Sequence, residues 1–72
     1  MNWQPKSDGT YTTKLRRGKQ FFEASISENK DTGTYKLSAE PGGLKWEVRA
    51  EADTVALREA DLILDGYGFR DA

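Results

Sequence analysis

Apolar and polar residues alternate in four short segments of this 72-residue chain, and turn-favouring residues separate the segments. Successive side chains of a β-strand point to opposite faces of the sheet, so a period of two is typical of a strand with one buried face. The pattern predicts four strands, over about residues 10–15, 20–28, 34–39 and 44–50.

The turn sequences between these strands favour an antiparallel meander, in which each strand pairs with the next along the chain. The first turn is expected at Arg17-Gly18, the second over the loop NKDT and the third over the loop EPGG. These turns bring apolar residues of neighbouring strands together on one face. The expected cross-strand pairs include Thr13 with Phe22, Ile26 with Tyr35, Leu37 with Trp46 and, on the other face, Lys36 with Glu47.

After Ala50 the apolar spacing changes to that of a helix. Apolar residues in DTVALREADLILDGYG recur at intervals of three and four, which is the stripe of an amphipathic helix. This spacing predicts a helix over about residues 54–65, with Asp53 as the N-cap and Gly66 as the terminating glycine. We therefore predict one α+β domain over residues 1–72: a four-stranded antiparallel β-meander, order 1-2-3-4, with one C-terminal α-helix on one face and mobile ends.

The chain contains neither cysteine nor histidine. Within these residues, that excludes disulfides, thiolate nucleophiles, imidazole bases and the common zinc ligand sets. The acidic, hydroxyl and amino side chains fall in turns or on outward strand positions and do not converge on one cleft. We therefore expect no catalytic activity, no cofactor and no metal.

No stretch of the sequence reaches the ~18 consecutive apolar residues that a membrane helix requires. A charged start followed by an apolar run, as in a signal peptide, is also missing from the sequence. From these two features we expect a soluble cytoplasmic protein that has no membrane partner.

A basic cluster surrounds the first predicted turn and precedes an outward-facing aromatic residue: Lys14, Arg16, Arg17 and Lys19, followed by Phe21. Cations beside an exposed ring suit phosphate contact and base stacking. A three-stranded sheet followed by a helix is also similar in architecture to the arm-binding domains of phage and transposon integrases, although no sequence motif accompanies the likeness. The alternative is a solvated hairpin tip, and the net charge of −1 favours this alternative over nucleic-acid binding.

Phe21 is the one large apolar residue on the outer face of the predicted sheet. Trp3 and Phe69, which lie in the two tails, could fold over it as a lid. Phe21 could instead anchor a partner protein, because exposed aromatic residues with polar neighbours are typical of interfaces. The sequence leaves both alternatives open.

A second candidate surface consists of the acidic residues Glu59, Asp61 and Asp65 on the predicted helix. Asp61 and Asp65 are like charges four residues apart, which slightly destabilises an isolated helix. Such a surface could meet a basic protein or imitate the charge of nucleic acid. A solvated helix face is the simpler interpretation.

These features predict a small non-catalytic binding module that recognises another protein or self-associates. A homodimer could form through the edge of the first or fourth predicted strand, which the meander leaves free. The alternative function is that of a nucleic-acid-binding accessory domain, which would use the basic hairpin and Phe21.

Overall fold

A computed structural model describes residues 1–72 as an antiparallel sheet followed by one helix, with two residues of the C-terminal tail returning to the sheet. The elements are β1 Gln4–Pro5, β2 Tyr11–Arg17, β3 Gln20–Asn29, β4 Thr34–Glu40, β5 Leu44–Arg49, α1 Asp53–Gly66 and β6 Arg70–Asp71. The predicted α+β class is confirmed, and β2 to β5 lie in chain order. The predicted count of four strands is too low, because the sheet has six.

The two additional strands come from the ends of the chain, and both pair with the outer edge of β2. In β1, Gln4 lies opposite Thr12, and in β6, Asp71 lies opposite Leu15. The Ala72 amide also donates to the carbonyl of Lys14, at 3.2 Å. The edge of the first predicted strand is therefore covered, and the edge of β5 is the one full-length edge without a partner.

Two of the three predicted hairpin registers are wrong by two residues. Gly18 has φ +63° and forms a two-residue turn with Lys19, which matches strand twist better than the predicted turn and pairs Thr13 with Ala24. In the second hairpin the loop spans 30–33, so Ile26 lies opposite Leu37. The third register is as predicted. A shift of two residues leaves every side chain on its predicted face, so the predicted inner face is preserved.

The core lies between the inner face of the sheet and α1. From α1 it receives Ala56, Ala60 and Leu64, which are fully buried at intervals of four residues. Two of these residues are alanines, which allow the helix backbone to approach the sheet closely. The sheet and the C-terminal tail supply the remaining buried apolar residues: Leu15, Phe22, Ala24, Ile26, Tyr35, Leu37, Ala39, Val48 and Phe69.

The helix ends in a Schellman motif at Gly68, two residues beyond the predicted Gly66. The Gly68 amide donates to the carbonyl of Asp65 and the Phe69 amide to that of Leu64, each at 3.0 Å. Gly68 has φ +88°, which a residue without Cβ adopts at little cost. The motif directs Phe69 back into the core, where its ring packs edge-on against Phe22 at 4.9 Å.

Gly68→Ala should destabilise the protein by about 1 kcal/mol, because alanine is strained at this positive φ. Gly66→Ala is the matched control: Gly66 is helical and an added Cβ meets no atom within 4 Å, so this variant should be neutral or up to about 1 kcal/mol more stable. Urea unfolding followed by circular dichroism measures both values. Equal effects of the two variants would contradict the assignment of Gly68 as the terminating residue.

Candidate functional site

Phe21 is the most exposed large apolar residue of the protein, with 69% of its surface accessible. Its neighbour across the first hairpin is Arg16. Pairing between β3 and β4 begins only at Glu23, so the β2–β3 hairpin extends beyond the end of β4. Phe21 therefore lies on the projecting part of the sheet, on the face opposite α1.

Neither tail covers this ring. Trp3 is half-buried on the α1 side of the sheet, where its indole Nε1 donates to Asp61 at 2.7 Å. Phe69 is fully buried in the core. The hypothesis of a lid made by Trp3 or Phe69 is therefore wrong, because both residues pack on the face away from Phe21.

The basic cluster is divided between the two faces of the sheet. Lys14 and Arg16 share the outer face with Phe21, and Lys19 lies in the turn beside them. Arg17 has the parity of Leu15 and therefore points to the inner face. Four of the five residues predicted to form one site are thus brought together, and Arg17 is the exception.

Arg17 covers the aromatic pair at the end of the core. Its guanidinium carbon lies 5.2 Å from the ring centre of Phe22 and 4.5 Å from that of Phe69. Attraction between a cation and the face of an aromatic ring contributes about 0.5–1 kcal/mol at exposed sites. Arg17 is consequently engaged within the protein.

Acidic residues border Phe21 on its other side. Glu23 lies opposite Glu40 on β4 and opposite Lys14 on β2. Like charges directly across a sheet are unfavourable unless a cation lies close to them. A shallow concavity of about 340 Å³ runs over this region, lined by Lys14, Leu15, Phe21, Phe22, Glu23, Glu40 and Ala72. The surface around Phe21 therefore combines an apolar centre with charges of both signs.

The largest concavity, about 420 Å³, lies further along the same outer face. It is shallow, six of its eight lining residues are polar or charged, and the hydroxyls of Ser25 and Ser38 are 2.9 Å apart. Lys36 faces Glu47 across its rim, as predicted. Its lining residues are Ser25, Ser27, Lys36, Leu37, Ser38, Lys45, Trp46 and Glu47. Such a surface can form hydrogen bonds and ion pairs with a partner, as the region around Phe21 can.

Two residues of the candidate acidic surface hold the tails of the chain. Asp61 accepts the Trp3 indole and lies 3.3 Å from the amino group of Met1. Asp65 forms an ion pair with Arg70, at 2.9 Å. Glu59 is exposed and makes no hydrogen bond or ion pair within the protein. The charges of Asp61 and Asp65 are therefore partly neutralised within the chain.

The prediction that Asp53 is the N-cap of α1 is wrong, because Asp53 is the first residue of the helix. The N-cap is Ala52, whose side chain cannot cap the helix. The Asp53 carboxylate accepts the hydroxyl of Tyr11 at 3.0 Å and that of Tyr35 at 2.7 Å. The hydrogen bond to Asp53, together with burial of the Tyr35 hydroxyl and the negative charge of nearby acidic groups, raises the pKa of Tyr35 to about 12. The sequence pattern does not predict this contact, although a tyrosine that is expected to be buried needs a hydrogen-bond partner.

No family model, curated protein or solved structure matches this chain. The α1 helix, 14 residues in length, is neither long enough nor apolar enough to cross a membrane.

Arg17→Ala should cost about 1 kcal/mol of unfolding free energy, because it removes the cation from the Phe22 and Phe69 rings. Arg16→Ala removes the same charge from the outer face and should change stability by no more than about 0.5 kcal/mol. Thermal and urea unfolding measure the difference. A larger loss for Arg16→Ala would show that the two arginines have been assigned to the wrong faces.

Proposed function

We propose that this protein is a small non-catalytic binding module that recognises another protein through the surface around Phe21. The observation that carries the proposal is that 69% of the Phe21 surface is exposed. The aromatic residues of the two tails, Trp3 and Phe69, pack on the opposite face of the sheet and do not cover it. Burial of a phenylalanine against a partner contributes about 1.5–3 kcal/mol. A single aromatic anchor of this kind can dominate an interface.

The charges next to Phe21 favour a protein over a nucleic acid. Glu23 and Glu40 face each other beside the ring and would repel a phosphate backbone. Arg17, at the centre of the basic cluster in the sequence, is directed to the core. An apolar centre with a rim of both charge signs is the usual composition of a protein interface.

Nucleic-acid binding is the second candidate function, and the cross-strand position of Arg16 beside Phe21 is the observation that favours it. A base could stack on the ring while Arg16, Lys14 and Lys19 contact phosphates. This candidate needs the basic side chains to outweigh the neighbouring glutamates. It therefore predicts binding that is strong only at low salt.

Phe21→Ser should abolish capture of the partner while leaving the fold intact, because the ring contributes nothing to the core. Leu62→Ser is the matched control, since Leu62 is 64% exposed on the helix side of the molecule. The measurement is a quantitative pull-down from a lysate of the source cells, treated with nuclease, with wild type and both variants. Proteins retained by the wild type and by Leu62→Ser should be lost with Phe21→Ser.

The proposal is contradicted if Phe21→Ser retains the same proteins as the wild type. Circular dichroism of each variant separates loss of a contact from loss of the fold. Unfolding of Phe21→Ser would also contradict the proposal, because it would give the ring a structural role.

Fluorescence anisotropy with labelled single- and double-stranded DNA and RNA separates the two candidate functions. Our proposal predicts no binding at low salt. The second candidate predicts binding that falls steeply as salt is added and that is lost in Lys14→Glu/Arg16→Glu. Lys30→Glu/Lys36→Glu has the same net charge, lies away from the hairpin and serves as the control. Arg17 is left unchanged because its substitution would disturb the core.

A further inference from the structure

The outer edge of β5 is open along its whole length, whereas both tails cover the corresponding edge of β2. We propose that two copies of this chain associate by antiparallel pairing of their β5 strands, with Trp46 of each copy at the two-fold axis. The two sheets would join into one continuous sheet. This inference concerns a different surface from Phe21 and does not depend on the proposed function.

The charge order of β5 makes this edge complementary to itself. In strand Leu44–Arg49, charged residues alternate with apolar ones on opposite faces. Antiparallel pairing about Trp46 places Lys45 of each copy opposite Glu47 of the other, which gives two favourable cross-strand pairs. It also places Leu44 opposite Val48. A two-fold axis at Lys45 or at Glu47 would instead place two identical charges directly opposite each other.

Pairing about Trp46 also uses most of the strand. Five residues, 44–48, would lie opposite residues of the same strand in the second copy. A two-fold at Val48 would also be charge-complementary, since Glu47 would meet Arg49, but only residues 47–49 of β5 would pair. The register about Trp46 therefore combines complementary charge with the longer ladder.

An aromatic pair next to this edge adds apolar surface to the same contact. Trp46 is half-buried, and its ring lies 5.2 Å from that of Tyr67, which is 57% exposed. Residues directly opposite each other on neighbouring strands have Cβ atoms about 4.5–5.5 Å apart. The two-fold therefore brings two tryptophans into contact, with a tyrosine beside each.

Sheets that avoid self-association place charged side chains, proline or covering segments on their edges. The edge of β2 follows this rule, because Pro5 and both tails lie on it. The edge of β5 has a charge pattern that attracts a second copy, and no segment of the chain lies on it. The contrast between the two edges supports the assignment of β5 as the association surface.

Sedimentation equilibrium over a wide concentration range tests the proposal. The wild type should approach twice the monomer mass of 8.1 kDa. Lys45→Glu and Glu47→Lys should each weaken the dimer by about tenfold or more, because each places like charges opposite one another twice. The double variant Lys45→Glu/Glu47→Lys restores opposite charges and should recover the dimer.

Arg49→Glu is the matched control, because it changes net charge as Lys45→Glu does but faces no charge in the register about Trp46. Phe21→Ser should also remain dimeric, which keeps this test separate from that of the proposed function. A wild type that stays monomeric at the highest concentration would overturn the proposal. So would dimers that none of the charge variants weakens, or weakening by Arg49→Glu equal to that by Lys45→Glu.

Discussion

The return of the chain at Gly68 is the constraint on which much of this fold depends. It ends α1 and places Phe69, the largest fully buried side chain, against Phe22. It also carries β6 to the edge of β2. In a domain of this size the core is only just sufficient, so one additional buried ring is a substantial part of it. The same few residues complete the core and close one edge of the sheet.

This arrangement determines which surfaces remain available to partners. The inner face of the sheet is occupied by α1 and by both tails, and these contacts use several of the charged side chains. Arg17 covers the Phe22 and Phe69 rings, Asp53 accepts two tyrosine hydroxyls, and Asp61 and Asp65 hold the ends of the chain. The outer face, which includes Phe21, and the edge of β5 are left without contacts to the helix or the tails.

The faces of the strands could be predicted from the sequence because an error of two residues in register preserves parity, as at Thr13 and Ile26. The turn positions could not, since several placements of a turn near Gly18 satisfy the same alternation. Strands of two residues have no period, so β1 and β6 gave no signal.

Parity with Leu15 could have separated Arg17 from Arg16, and the apolar Phe69 after Gly68 could have identified the helix end. The contacts of Trp3 and Asp61 join residues 58 positions apart, and no local pattern encodes them.

The contact between Asp53 and its two tyrosines has a mechanical consequence for recognition. Tyr11 belongs to β2 and Tyr35 to β4, so the start of the helix is tied to strands on both sides of β3. At the other end, Phe69 anchors the chain that leaves the helix. Contacts at both ends of the helix therefore resist its movement against the inner face of the sheet. A sheet held in this way loses little of its own conformational entropy when a partner docks on it.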